Sequence, residues 1–153
     1  MNGPALIAVC RSQPRTDPKT DAGEGELRPD WGLVGDSHAG PVPPAHWEIS
    51  LLAWENVEQI NREHGLGAVP GSFAENLTTQ GLDTSRLQVG DRLCIGAQVI
   101  LEVQQLGKPP EIAHTYSFIG HSLLPSAGVF CRVLAGGGVR KGDPIRVTPA
   151  EDP

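Results

Sequence analysis

Side chains able to bind a polar ligand or move a proton are concentrated in two short, glycine-flanked segments of the chain. The segment WGLVGDSHAG places Asp36 two residues before His38, and the segment GSFAENL places Glu75 beside Asn76. A carboxylate beside an imidazole or a carboxamide offers complementary donors and acceptors to a small molecule. We therefore predict that His38 and Glu75 are catalytic and that Asp36 and Asn76 bind the ligand.

These four residues also have a purely structural interpretation. Asp36 can cap its own turn through backbone amides, in which case His38 only fills space. Glu75 and Asn76 can fasten the backbone of neighbouring loops, a role that would restrict their identity as much as catalysis would. The sequence leaves both interpretations open.

Further acid–base groups flank these segments. Glu48 follows Trp47 in HWEISLL, and Lys108 and His114 lie in GKPPEIAH. A histidine titrates near neutrality and can donate or accept a proton, and glutamate and lysine side chains can also act as general acids or bases. We therefore predict that Glu48, Lys108 and His114 are catalytic. Trp47 can stack on a ligand and Arg132 can pair with its negative charge. The histidines of this region have no third ligand at close spacing, so no metal ligands are predicted.

The elements that must position these groups are mostly short strands. With 19 Gly, 14 Pro and only 39% hydrophobic residues, the chain favours tight turns over long helices. One amphipathic helix is predicted over Trp54–His64 and ends at Gly65. Arg11–Leu27 lacks periodicity and is predicted to be a mobile loop or lid. Strands are predicted at Ala5–Cys10, Leu77–Thr79, Arg92–Ile95, Ala97–Leu106 and Val129–Leu134.

Composition excludes several classes of protein. A net charge of −6 is unsuited to a nucleic-acid surface, and no apolar run approaches the roughly 18 residues that span a bilayer. The three cysteines, Cys10, Cys94 and Cys131, form no CxxC pair, and the start of the sequence lacks a secretory leader. A cytoplasmic location with reduced thiols is therefore expected.

The stretch GSFAENLTTQGLDTSRLQVGDRLCIG, residues 71–96, resembles the core signature of the MOSC domain family, the module at the C-terminus of molybdenum-cofactor sulfurases and in small bacterial proteins. WGLVGDSHAG and the closing segment GVFCRVLAGGGVRKGDPIRV, residues 128–147, resemble further parts of the family pattern. The resemblance implies a mostly β fold, a MOSC-type β-barrel like the small barrel domain of pyruvate kinase, with one or two short helices. We expect one domain over residues 1–153, with its core at 31–147, a tail at 148–153, and the two site turns at the mouth of a closed barrel.

The sequence departs from the family pattern in two segments. Where small MOSC proteins usually have Arg and Gln, this chain has Trp47 and Glu48, and where they have the cysteine proposed to carry a persulfide or ligate the metal it has Pro110. Proline cannot be a nucleophile, sulfur carrier or metal ligand. Cys131 is the substitute that could line the pocket; the alternative is that it is an inert core thiol.

The resemblance also suggests that the segment after the first strand supplies anion contacts, and the alternative for it is a solvated loop. The residues concerned are Arg11, Ser12, Arg15 and Lys19.

For function, the resemblance implies binding of a small polar, pterin- or sulfur-bearing ligand and assistance in molybdenum-cofactor-linked sulfur transfer or N-hydroxyl reduction. A molybdoenzyme or a sulfur-donor protein would be the partner. The two departures favour an alternative, a repurposed cysteine-independent acid–base enzyme of lyase or isomerase type in a specialised pathway; a non-catalytic ligand-delivery module is the third interpretation. The cofactor stays undetermined: molybdenum-pterin is implied by resemblance, and pyridoxal phosphate is not expected because it belongs to a separate domain. The oligomeric state is left open.

Overall fold

A computed structural model describes residues 3–12, 19–37, 39–40, 48–107 and 117–150. This part of the chain is mostly β with two short α-helices, as predicted. The helices are α1, Trp54–His64, and α2, Leu124–Ala127. The strands are β1 Ala5–Arg11, β2 Thr20–Asp21, β3 Glu24–Arg28, β4 Gly32–Leu33, β5 Ile49–Ala53, β6 Leu77–Gln80, β7 Arg92–Ile95, β8 Val99–Leu106, β9 Val129–Ala135, β10 Gly137–Arg140 and β11 Ile145–Thr148.

The strands form two open sheets. The larger has the order β11-β7-β8-β9-β5-β6-β1-β2, and the smaller has the order β10-β3-β4. The β5–β6 pair is parallel and its neighbours are antiparallel, so the larger sheet is mixed. The helix α1 makes the crossover that a parallel pair of consecutive strands requires.

The closed barrel that the sequence predicted is not among the strand ladders of the described residues. The starts of β1 and β11 approach each other, but their contact is an isolated bridge between Ala5 and Pro144. The flanking backbone hydrogen bonds join Leu6 to Asp143 and Gly142, at 2.9 and 2.7 Å. The Ile145 amide also donates to the Pro4 carbonyl at 2.9 Å. No second residue pair bridges β1 and β11, so the ladders of the described residues stay open here.

The main core lies between the two sheets. Leu27 and Leu33 of the smaller sheet are buried in the same cluster as Leu51, Leu101 and other aliphatic side chains of the larger one. Because both sheets contribute to one apolar interior, burial of these side chains supplies the main stabilising term.

A second apolar cluster lies beneath α1. Val57 on the helix is in one cluster with Leu52 of β5, with Phe130 of β9 and with Phe73, which lies in the loop before β6. The helix has the predicted bounds and ends at Gly65, whose φ of +64° suits a left-handed C-cap. Neither helix in the described ranges is long and apolar enough to cross a membrane.

One local prediction was wrong and one strand was not predicted. Arg11–Leu27, predicted to be a mobile loop, contains β2 and most of β3, and only residues 13–18 of it lie outside the described residues. The strand β10, which the sequence did not predict, pairs with β3. Both strands are short and polar, and pairing between distant segments stabilises them, which local periodicity does not reveal.

Candidate functional site

A hydrogen-bond network joins the two predicted site turns to the end of β1. Asp36 Oδ1 accepts from the Ser12 amide at 3.0 Å and from Lys19 Nζ at 2.7 Å. The Lys19 amide donates to the Gly71 carbonyl at 3.2 Å, and the Gly71 amide donates to Glu75 Oε2 at 3.1 Å. The turns carrying Asp36 and Glu75 are therefore connected through Lys19.

The Lys19–Asp36 ion pair is almost completely removed from solvent, with 3% and 2% of the two side chains exposed. A buried charge is tolerated when it is paired and hydrogen-bonded, and the Ser12 amide adds a hydrogen bond to the carboxylate. Ser12 and Lys19, which the resemblance suggested as anion contacts, thus bind Asp36. The anion that these two residues bind is therefore a side chain of the protein itself, the Asp36 carboxylate.

Asn76 connects β1 to β5. Its Oδ1 accepts from the Ser50 amide at 3.1 Å and from Ser50 Oγ at 3.3 Å, and its Nδ2 donates to the Cys10 carbonyl at 3.4 Å. Its own carbonyl accepts from the Cys10 amide at 2.6 Å. Asn76 is buried, so these contacts correspond to the loop-fastening alternative for this residue.

Glu75 is fully buried. Its Oε2 accepts from the Gly71 amide and from Thr78 Oγ1, the latter at 2.7 Å, whereas Oε1 has no hydrogen-bond partner among the described residues. Burial raises the pKa of this carboxyl, and the hydrogen bonds from Gly71 and Thr78 only partly oppose the shift. The preceding residue, Ala74, has a φ of +68°, an uncommon conformation for a non-glycine residue, so the turn that buries Glu75 is strained.

The raised pKa of Glu75 predicts a pH-dependent stability. The folded state holds this proton more tightly than the unfolded chain, whose reference pKa is 4.5. The resulting stabilisation is complete below that pH and is lost as the pH rises through the folded pKa. The free energy of unfolding of the wild type, relative to Glu75→Gln, should therefore fall above pH 4.5, by at most about 1.4 kcal/mol per pH unit.

Urea unfolding of both proteins at several pH values measures this difference. The exposed Glu63 provides a matched control, since Glu63→Gln should shift stability by about the same small amount at every pH. A constant difference between the wild type and Glu75→Gln would contradict the assignment.

Glu48 and Arg132 are neighbours on the face of the sheet that points away from the main core. The register Ile49↔Cys131 places them opposite each other just beyond the start of β5. Glu48 is half-buried, and its Oε2 accepts from the Val133 amide at 3.1 Å. Burial raises the pKa of Glu48, opposed by the Val133 amide and by the positive charge of Arg132.

Arg132 keeps half of its side chain exposed, and its Nε lies 3.5 Å from Glu102 Oε1. Glu102 also faces Arg92, whose Nε is 3.9 Å from Glu102 Oε2. Two guanidinium groups thus share the Glu102 carboxylate on this face, and the negative charge of Asp30 also acts on Glu48 and adds to the rise in its pKa.

The cysteines lie within strands. Cys131 is fully buried in the main core, and burial raises the pKa of its thiol to about 12. Cys10 is also fully buried, and burial together with the nearby Glu75 raises its thiol pKa strongly. Cys94 is half-buried on β7. Cys131 therefore has the environment of an inert core thiol and does not line a pocket in the described structure.

Four of the predicted site residues lie outside the described residues: His38, Trp47, Lys108 and His114. The other six lie in three places. Asp36, Glu75 and Asn76 are joined in the buried network, Glu48 and Arg132 lie on the outer face, and Cys131 is enclosed in the main core. In the part of the chain that the structure describes, no three His, Cys, Asp or Glu side chains are grouped as metal ligands.

Sequence reasoning missed two polar partners that complete the network, Ser50 and Thr78. Thr78 lies three residues after Glu75 within the same motif, and a hydroxyl on the buried face of a strand was the available signal. Ser50 contacts Asn76 across 26 residues of sequence, and nothing in the local pattern indicates that pairing.

Comparison with known proteins gives one family and several solved structures. The model of the MOSC domain family matches residues 35–146. YuaD from Bacillus subtilis has a TM-score of 0.77 and 18% identity over 97% of both chains. YiiM from Geobacillus stearothermophilus has a TM-score of 0.67 and 18% identity, covering 95% of this chain and 75% of its own; YiiM from Escherichia coli has 0.64 and 21%, covering 97% and 72%. None of the curated proteins matches the sequence significantly. At these identities the solved structures establish the fold alone.

Proposed function

Because this chain belongs to the MOSC domain family, we propose that it binds a small polar molecule beside Arg132 and Glu48 and acts on it by proton transfer, without a cysteine thiol. The observation that carries the proposal is the position of the half-buried Glu48 carboxyl, with its raised pKa, opposite an exposed guanidinium. This corresponds to the cysteine-independent acid–base enzyme among the functions considered from sequence.

Glu48 has the properties of a general acid or base. A catalytic group is most effective when its pKa lies near the working pH, and partial burial moves the pKa of this carboxyl in that direction. The hydrogen bond from the Val133 amide to Oε2 fixes the carboxyl in orientation. Its other oxygen, Oε1, is the atom we assign to proton exchange with the ligand.

Arg132 supplies the binding contact. Its guanidinium can form two parallel hydrogen bonds to a carboxylate or phosphate, and its ion pair with Glu102 is half-exposed and long, so a ligand can compete for it. We infer that the ligand carries at least one negative charge.

The buried network serves as a frame in this proposal. Asp36, Glu75 and Asn76 have little or no exposed surface, and their contacts hold the two turns and the ends of β1 and β5 together. His38, Trp47, Lys108 and His114 lie outside the described residues and stay predictions as additional site residues.

The MOSC family also implies a second candidate, molybdenum-linked chemistry with a pterin- or sulfur-bearing ligand. When bound, a molybdenum-pterin would supply redox or sulfur-transfer chemistry, usually through a thiolate ligand. Among the described residues, Cys10 and Cys131 do not fit that role because they are enclosed in the core with raised thiol pKa values. Cys94 is half-buried on β7, but no group of three His, Cys, Asp or Glu side chains that could hold a metal is present in the described ranges. We derive no step through this group.

Thiol accessibility gives a direct prediction. Iodoacetamide added to the native protein should modify Cys94 only, because a buried thiol with a raised pKa supplies almost no accessible thiolate. Unfolding in guanidinium chloride should expose all three cysteines, which mass spectrometry would count. Rapid native modification of Cys131, or loss of ligand turnover in Cys131→Ala without loss of fold, would contradict a thiol-independent function.

The function itself is tested on protein purified from its own cells. Native mass spectrometry would identify the co-purifying small molecule, and elemental and fluorescence analysis would detect molybdenum and pterin. A non-pterin anion is expected; stoichiometric molybdenum would support the second candidate instead.

With that molecule as the probe, Glu48→Gln should lower kcat by about a hundredfold, and Arg132→Gln should mainly raise KM. Glu63→Gln, on the exposed side of α1, is the matched control and should change neither. If Glu48→Gln weakened affinity and no turnover existed in the wild type, the protein would be a delivery module.

A further inference from the structure

A groove whose lining includes neither Glu48 nor Arg132 is also present in the described structure. It has a volume of about 660 Å³ and lies where β3 and β10 meet the β7–β8 turn and the end of β1. Known ligand pockets measure roughly 300–1,000 Å³, so the groove can hold a small molecule together with water. The lining residues that matter here are Arg11, Glu24, Gly25, Gln98, Gly138 and Arg140.

Three charged side chains of this groove are uncommitted. Arg11, Glu24 and Arg140 make no side-chain hydrogen bond or ion pair with any residue in the described ranges. On the same small sheet, Arg28 pairs with Glu26 at 2.9 Å. An exposed ion pair therefore forms within this sheet, whereas the side chains of Arg11, Glu24 and Arg140 form none with the described residues.

The charges have a definite arrangement. Arg140 and Glu24 are direct partners across the β10–β3 ladder, and side chains of such partners start about 5 Å apart on one face. Arg11, at the end of β1, lines the same groove from another element. Two guanidinium groups and the Glu24 carboxylate thus face a common space, with the carboxamide of Gln98 beside them. The Asp143 carboxylate also lines the groove, and its Oδ2 accepts from the Arg140 amide at 2.9 Å.

We propose that this groove binds an amino acid with an acidic side chain. The adjacent ammonium and carboxylate of an amino acid match the adjacent Glu24 and Arg140, and the distal carboxylate matches Arg11. Arginine pairs with carboxylates through two parallel hydrogen bonds, so each carboxylate of the ligand has a guanidinium partner and its ammonium has the Glu24 carboxylate. This site is independent of the function proposed for Glu48 and Arg132.

Two glycines, Gly25 and Gly138, line the groove. Replacing one of them by a larger residue would block the groove without altering its charges. A Cβ at Gly138 would have the Gly25 carbonyl at 3.9 Å as its nearest neighbour and would need no unusual φ, so a larger side chain there projects into the open space. Gly25 is unsuitable, since a Cβ there would lie 2.6 Å from Leu33 Cδ1. Gly138→Leu is therefore the blocking variant.

The experiment is calorimetric titration of the protein with L-glutamate at low ionic strength. We expect saturable binding that weakens by about tenfold or more in Arg140→Gln and in Arg11→Gln, since each loses a charged hydrogen-bond partner. Gly138→Leu should abolish binding. Arg86→Gln, which removes an exposed arginine elsewhere, should leave it unchanged. All the replaced groups are exposed, so thermal unfolding should confirm intact folds.

Glutarate, which lacks the ammonium, distinguishes an amino acid from a simple dianion. The wild type should prefer L-glutamate, and Glu24→Gln should remove the preference. No saturable binding up to about 10 mM L-glutamate, well above the millimolar limit of weak specific sites, would overturn the proposal. Binding that survives Gly138→Leu, or equal affinity for glutarate in the wild type, would overturn it as well.

Discussion

Replacing Gly71 by alanine is expected to lower the free energy of unfolding by about 3 kcal/mol or more. Gly71 has a φ of +90°, a conformation that costs a residue with a Cβ about 1–2 kcal/mol. The added Cβ would also collide with the Lys19 carbonyl oxygen, and it would lie 2.8 Å from the carbonyl carbon and 3.3 Å from Cys10 Cβ. Backbone atoms cannot rotate away as a flexible side chain can, so the loops must separate.

That separation would break the connection between the two turns. The Lys19 amide would lose the Gly71 carbonyl, and Glu75 would lose the Gly71 amide that holds its carboxyl. Gly67→Ala is the matched control, since Gly67 also has a positive φ, +68°, but a Cβ there meets nothing within 4 Å. Urea unfolding should show a loss of only about 1–2 kcal/mol for the control. Equal losses in the two variants would show that Gly71 matters through its φ alone.

Replacing Lys19 by methionine is expected to destabilise the fold by about 3–5 kcal/mol. Methionine fills similar space, but it leaves the Asp36 carboxylate buried without its cation. A carboxylate in this position must either stay charged at a high desolvation cost or take up a proton. The effect should be far larger than that of Arg28→Met, because the Arg28–Glu26 pair is more than half exposed and such pairs contribute about 0–1 kcal/mol.

A double-mutant cycle separates the ion pair from simple loss of packing. Asp36→Asn keeps an oxygen for the Ser12 amide but removes the negative charge. The variant Lys19→Met/Asp36→Asn should lose less stability than the sum of the two single variants, since neither partner is then left charged and alone. Strict additivity in chemical unfolding would contradict a direct interaction.

The elements with a strong local pattern were predicted well from the sequence. The helix Trp54–His64 combines an apolar face with a glycine at its end, and β6 and β7 combine β-prone residues with glycine turns, so short-range preferences and the tertiary structure agree. The same holds for β9, where Cys131 shares its buried face with Val129 and Val133 as alternation requires. These features depend on neighbours in sequence.

The elements that failed depend on distant partners. Residues Glu24–Arg28 form a strand because β4 and β10 pair with them, and their single buried leucine, Leu27, gives too weak a pattern to predict it. The barrel prediction followed from a likeness to a family, whereas the contact between β1 and β11 in the described residues is one isolated bridge, from Ala5 to Pro144. Which strands pair therefore depends on residues far apart in the sequence, and a local pattern does not contain that information.

The site shows the same limit in chemical terms. Residue types and glycine turns singled out Asp36, Glu75 and Asn76, and these three lie in one buried network. The sequence could not tell a side chain that meets a ligand from one that binds other loops. Burial separates the two, since Glu75 is fully enclosed whereas Glu48 is only half covered. A prediction of role needs the surroundings of each group.

The way the described sheets end has a consequence for the protein at high concentration. The outermost strands β2 and β4 contain two residues each, and β11 lies between Pro144 and Pro149. The remaining border strand, β10, has four residues. Such borders present few consecutive free amides and carbonyls, so another copy of the chain finds little template for adding a strand. We therefore expect the protein to resist growth into fibres.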